Sequence, residues 1–218
     1  KAKALALQGS LALASDGLPQ KFNLTGKISA PDGSPVLLPL TTDLPVKINS
    51  ADIALGYDAT QDEGWSANIA VLGLDRADFR ASSLSLSGSG RIARVAGSRQ
   101  VGGTFKYTAE GLDPTDQALA RALGAVVWGD GSVYWREGDG SVTVQRLALT
   151  GEDYAALVSG KIDSLSDAFA ITGKASARMD DLSRLSSLAG RNLAGAAEVS
   201  VAGNGSPITG AFDLTGSA

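Results

Sequence analysis

The sequence predicts a mainly β fold, an elongated and curved, mainly antiparallel sheet bent into a trough with a hydrophobic interior, with two short helices. Three observations carry that expectation. Apolar residues recur with a period of two along most of the chain, short polar turns separate the runs, and no long amphipathic helix is available to cover the apolar faces. The clearest run is "QKFNLTGKIS": Phe22, Leu24 and Ile28 share one side, while Lys21, Asn23, Thr25 and Lys27 share the other. Successive strand residues point to opposite faces, so this division gives one dry face and one wet face.

Taken in order, Leu5, Leu7, Leu11 and Leu13 share a parity, against alanines and Gln8. After the 22–28 run, alternation continues at Val46/Ile48, Ile53/Leu55/Tyr57, Trp65/Ala67/Ile69/Val71, Leu84/Leu86 and Phe105/Tyr107. It returns at Val133/Trp135, Val142/Val144, Phe169/Ile171, Val199/Val201 and Phe212/Leu214. The runs 132–136, 141–150, 154–163 and 168–179 read as a meander. Parity changes between Val144 and Leu147, which predicts a bulge or bend and a curved sheet. "PDGSP" (31–35), "EGDGS" (137–141), "SLSD" (164–167) and "GNGSP" (203–207) read as tight reversals. The Asp-Gly-Ser triplets at 32–34, 130–132 and 139–141 read as turns, because Asp and Gly tolerate positive φ.

Two helices interrupt the strands. "LDPTDQALARALG" predicts one near 114–123, with Asp113 as N-cap, Pro114 in the first helical position and Gly124 as the stop. "DDLSRLSSLAG" predicts another near 181–189, capped by Asp180 or Asp181 and stopped by Gly190. A shift of 66 superimposes Gly124 on Gly190, Gly129 on Gly195, Val133 on Val199 and Trp135 on Val201. This is a loose internal repeat. Lys1 is no natural start, so residues 1–218 are read as a fragment of a longer repetitive β domain, with sub-units 1–111 and 112–218.

Composition removes most chemistry. With no cysteine and no histidine among 218 residues, disulfides, thiolate or imidazole metal sites and Ser-His-Asp catalysis are excluded. No catalytic, cofactor-binding or metal-ligating residue is assigned, and the chain is read as not an enzyme. A net charge of −4 without a Lys/Arg cluster argues against nucleic acid as a partner. No run approaches the ~20 apolar residues of a membrane-spanning helix. The acidic pairs Asp75/Asp78, Asp113/Asp116, Glu152/Asp153 and Asp180/Asp181 read as helix caps and solvated turns. Trp65, Trp128, Trp135, Tyr107 and Tyr134 fill a core or rim a groove.

The dry faces must either close on one another, as in a sandwich or barrel, or bend into an open trough with an apolar inside. Parity assigns the groove-lining candidates: Phe22, Leu24, Ile28, Ile53, Leu55, Ile69, Val71, Phe105, Tyr107, Val133, Trp135, Val142, Val144, Phe169, Ile171, Val199, Val201, Phe212 and Leu214.

The segments "DLSRLSSLAGRNLAGAAEVSVAG" and "LALTGEDYAALVSGKIDS", with the helix–Gly–strand phrasing of "LDPTDQALARALG", resemble the periplasmic part of the TamB family in the AsmA-like group. The Ala-, Gly- and Ser-rich style is similar to alphaproteobacterial members. The resemblance implies a β sheet folded like a taco around a hydrophobic groove, in the periplasm, with an inner-membrane anchor outside this segment. It also implies an Omp85-type outer-membrane barrel, TamA, as partner, and no catalytic residues. The implied role is moving phospholipid toward the outer membrane, assembling outer-membrane proteins, or both. Expected ligands are phospholipid acyl chains or hydrophobic β-strands. The rival expectation is a structural or adhesive β-solenoid, of the secreted passenger type, with a closed core.

Overall fold

The computed structural model describes residues 4–15, 19–39, 43–95, 97–163, 169–206 and 211–217. Its first strands are β1 (Ala4–Leu13), β2 (Pro19–Ser29), β3 (Val36–Leu37), β4 (Lys47–Ile48), β5 (Ser50–Asp58), β6 (Gly64–Arg76), β7 (Phe79–Val95) and β8 (Ser98–Glu110). There follow β9 (Asp113–Pro114), α1 (Gln117–Leu123), β10 (Val126–Arg136), β11 (Ser141–Thr150), β12 (Tyr154–Asp163) and β13 (Ala170–Met179). A 3-10 turn (Leu182–Leu185), α2 (Ser186–Ala189), β14 (Ala197–Ser206) and β15 (Ala211–Ser217) complete the order. The fold is mainly β, an open antiparallel sheet in the order β1-β2-β5-β6-β7-β8-β10-β11-β12-β13-β14-β15, with β3, β4 and β9 off this path.

The chain divides into two compact units, Lys1–Ser89 with Lys106–Val127, and Gly90–Phe105 with Trp128–Ala218. In the first, the register of β1, β2, β5 and β6 explains the sequence pattern. Leu11, Phe22, Tyr57 and Trp65 stand opposite one another across four strands, as do Leu7, Gly26, Ile53 and Ile69. The alternate positions carry Lys21 opposite Asp58 and Lys27 opposite Asp52. These cross-strand pairs close to 2.9 and 3.8 Å on the wet face, where exposed ion pairs fix register more than they stabilise.

One end of this dry face is covered. The β3–β4 ribbon lays Val36 and Ile48 against Ala51 on β5, with Ile28, Ala30, Leu38, Val71 and Leu74 packed around them. Ile48 is 1% exposed and is the large fully buried side chain among the described residues. Removing its buried methyl groups leaves a cavity that the flanking strands cannot collapse into. Ile48→Ala is expected to cost about 2–4 kcal/mol in urea unfolding.

The first helix begins later than the sequence suggested. Asp113 and Pro114 form β9, opposite Arg80 and Phe79, and the Thr115 N–H donates to the Asp78 carbonyl at 3.0 Å. Asp116 is the N-cap instead, accepting from the amides of Ala118 (2.8 Å) and Leu119 (3.2 Å). The stop at Gly124 holds, with φ of 74°.

In the second unit, β10 to β15 form the expected meander, and β11 and β12 keep the bounds read from sequence. The parity change between Val144 and Leu147 is a bulge: Val144 pairs with Gly160, but Leu147 pairs with Val158. The Asp139 carboxylate accepts from the Ser141 amide (3.1 Å) and hydroxyl (2.7 Å), closing the β10–β11 turn as expected, and Asp32 does the same with Ser34 at the 31–35 turn. The triplet at 130–132 is not a turn. It lies inside β10, where Asp130 pairs with Arg146 at 2.6 Å and Ser132 donates to Gln145 at 2.9 Å. Likewise 203–206 belong to β14, and the reversal expected at 164–167 lies outside the described residues.

The leucines spaced three apart at 182, 185 and 188 suit the three-residue period of a 3-10 turn, which occupies the first half of this segment. Asp181 caps it, accepting from the Ser183 amide at 2.9 Å, and Gly190 ends α2 at φ 64°. The repeat by 66 residues is partial. Gly195 sits in a link at φ 85°, whereas Gly129 lies within β10.

Beside the β10–β11 turn, Arg99 clamps Glu137 through its amide (2.8 Å) and Nη2 (2.6 Å). Hydrogen bonds from the Arg99 side chain, then its backbone, hold the Glu137 carboxyl at about 2, below the ordinary 4.5. A carboxylate held low contributes stability that is complete above its unfolded pKa and is lost as pH falls toward the folded value. A carbon-13 NMR titration is expected to place the Glu137 midpoint near 2, and Arg99→Gln to return it toward 4.5.

Candidate functional site: the apolar sheet faces

The dry face of the second unit is built from four crosswise rows. Trp135, Val142, Ile162, Ile171 and Gly205 form the first row, and register places Phe212 beyond them, although its side chain lies outside the described set. The second is Val133, Val144, Gly160, Gly173, Gly203 and Leu214. Gly131, Leu147, Val158, Ala175, Val201 and Gly216 form the third, and Gly129, Leu149, Ala156, Ala177 and Val199 the fourth. The indole N–H of Trp135 is the one polar side-chain group in these rows. The other face carries Arg146, Lys161, Lys174, Arg178, Glu198 and Asp213.

Apolar side chains arranged in this way would normally be buried, yet these are open. Leu214 is 64% exposed, Val199 46% and Val158 41%. In the first unit Leu7 is 55% exposed on the same kind of face. Among the described residues, the buried apolar side chains are alanines, the ribbon residues Val36, Val46 and Ile48, and Val127 on β10. A contiguous apolar surface beyond a few hundred Å² is a binding surface in most soluble proteins.

Each face is concave enough to hold a cavity. In the first unit a space of about 960 Å³ is lined by the row Leu7, Gly26, Ile53 and Ile69, with Leu86 on β7, and by their polar neighbours, among them Lys27, Asp52 and Asn68. In the second, about 350 Å³ lies over Gly160, Gly173 and Gly203, walled by Val158, Ala175 and Val201 on one side and Ile162 and Ile171 on the other. Glycine is required there. A Cβ on Gly160 would stand 2.6 Å from the Thr172 carbonyl oxygen, one on Gly173 2.8 Å from that of Ser159, and one on Gly203 2.2 Å from that of Asp213. The neighbouring backbone occupies the place of the missing side chain.

Register places most of the residues assigned by parity on these two faces. Phe22, Leu24, Ile53, Leu55 and Ile69 share the open part of the first face, whereas Ile28 and Val71 pack under the ribbon. Phe105 lies over Gly131, whose added Cβ would meet its ring at 2.2 Å. Tyr107 is half-buried on β8, in the first unit. Phe169 precedes β13 with φ of 43° and joins no ladder. Sequence reasoning left out Leu147, Leu149, Val158, Ile162 and the alanines 156, 175 and 177. The first two lie past the bulge, and alanine gives little contrast between faces.

The acidic pairs are tied to other partners. Asp75 and Asp78 bond Arg80 and Arg76, Glu152 and Asp153 share Arg184, and Asp180 bonds Arg178. Asp116 and Asp181 cap helical turns. Among the described residues no three acidic groups converge as a metal site would require, and no helix is long and apolar enough to cross a membrane. Tyr134 and Trp135 face opposite ways: Trp135 joins the dry rows, while the Tyr134 hydroxyl donates to Gln100 and Arg136 lies 5.8 Å from its ring. No family model, curated protein or solved structure matches the chain.

Proposed function

We propose that the chain is a non-enzymatic periplasmic scaffold whose dry sheet faces carry the acyl chains of phospholipid, in the manner the TamB resemblance implies. The observation that carries this reading is the run of apolar, half-exposed rows across six strands of the second unit. An acyl chain makes no hydrogen bonds, so such a surface leaves nothing unsatisfied. Each methylene removed from water contributes about 0.8 kcal/mol, and sliding along the face exchanges one apolar contact for another.

Outer-membrane protein strands are the second ligand class that the resemblance offers. A polypeptide lying on these rows would find one side-chain donor, the indole N–H of Trp135, and no acceptor, and each unpaired backbone group would cost about 1–3 kcal/mol. The rows favour lipid. An Omp85-type barrel as partner and an inner-membrane anchor belong to the same proposal and rest on the resemblance alone. The closed-core solenoid is disfavoured by the exposure of Leu214, Val199 and Val158. The test is equilibrium binding of a fluorescent long-chain fatty acid. Displacement by phospholipid, but not by an amphipathic β-hairpin peptide, is expected. Displacement by the peptide alone would transfer the reading to strand assembly.

A further inference from the structure

The two ends of the first unit's dry face differ, and the difference orients the ligand. At one end the β3–β4 ribbon buries Val36 and Ile48 over Ile28, Ala51 and Val71, so the face is closed there. At the other end, beside the β1–β2 and β5–β6 hairpins, Phe22, Tyr57 and Trp65 stand in one crosswise row. All three are half-buried. Tyrosine and tryptophan combine an apolar ring with a polar edge and favour the boundary between apolar surface and water. Six residues along β5 separate Ala51 from Tyr57, about 20 Å of strand. An extended chain with C–C bonds of ~1.5 Å advances ~1.3 Å per methylene, so about fifteen methylenes fit this span. The cavity lined by Leu7, Gly26, Ile53 and Ile69 lies between the two ends.

We infer that an amphiphile lies along the strands of the first unit with its chain end against the ribbon and its head leaving beside Tyr57 and Trp65. This rests on the acyl-chain reading above. The head is zwitterionic rather than anionic. Asp58, Asp62 and Glu63 lie at this edge, and Lys21 is already paired with Asp58 at 2.9 Å. Burial, then the charges of Glu63 and Asp58, raise the Tyr57 hydroxyl above its ordinary value.

The experiment uses the chain with Trp128→Phe and Trp135→Phe, leaving Trp65 as the reporter. It is titrated with lysophosphatidylcholine below its micelle concentration, with a nitroxide either on the choline head or near the chain terminus. Immobilisation of the nitroxide reports binding by itself, and its absence would sink the acyl-chain reading. Given binding, the head label is expected to quench Trp65 at least twofold more than the chain-end label. Equal or reversed quenching overturns the orientation. Lysophosphatidylglycerol is expected to be held several-fold more weakly, and equal or tighter holding overturns the head assignment.

Discussion

Placing glutamate at Ile53 and at Val201 together is expected to abolish the proposed acyl-chain binding while the fold persists. Each substitution alone is expected to lower the number of chains bound. Ile53 stands between Gly26 and Ile69 in the first unit, and Val201 between Ala175 and Gly216 in the second. Both lie in the middle of a dry row, and Val201 is 37% exposed, so a carboxylate there reaches water and folding is little affected. A chain passing over it must either desolvate the charge or lose its contacts on both sides. Either penalty exceeds the 1.4 kcal/mol that corresponds to a tenfold loss of affinity. Ser200→Glu, one residue away on the wet face, provides the control and is expected to leave binding unchanged. Equal effects of Ser200→Glu and Val201→Glu would show that face does not matter.

Gly203→Val is expected to cause a large loss of stability. The added Cβ would meet the Asp213 carbonyl oxygen at 2.2 Å and Leu214 Cδ2 at 2.7 Å. A side chain can rotate away, but the strand carrying Asp213 cannot move without breaking the β14–β15 ladder. Overpacking against backbone is expected to cost about 3 kcal/mol or more, read as a lowered urea midpoint. Gly9→Ala is the matched comparison, also on a dry face. Its Cβ would lie 3.4 Å from the Asn23 carbonyl oxygen and 3.5 Å from Leu24 Cδ1, ordinary contact distances. Its effect is expected to stay within about 0.5 kcal/mol. Similar losses for the two would remove the argument that the glycine row is set by the neighbouring backbone.

The parts of the fold legible in the sequence are those governed by local alternation. The limits of β11 and β12 followed from turn residues on both sides, and the bulge between Val144 and Leu147 followed from a broken parity. The errors arose where a local signal was used for a distant contact. Asp113-Pro114 has the form of a helix start, but Pro114 is buried opposite Phe79, thirty-five residues earlier in the chain. "GDGS" at 129–132 has the form of a turn, but its aspartate pairs with Arg146 across the ladder and its glycines fall on the dry face. The ribbon shows the same limit: Val46 and Ile48 alternate visibly, yet nothing nearby says that Ile48 packs against Ile28 and Val71.

Mass spectrometry of ligands carried by the chain, purified from a periplasm without detergent or denaturant, decides whether the dry faces hold lipid. Phospholipid is expected in stoichiometric amounts, lost from the Ile53→Glu/Val201→Glu double variant. A stable, lipid-free chain that also takes up no added phospholipid would overturn the acyl-chain reading.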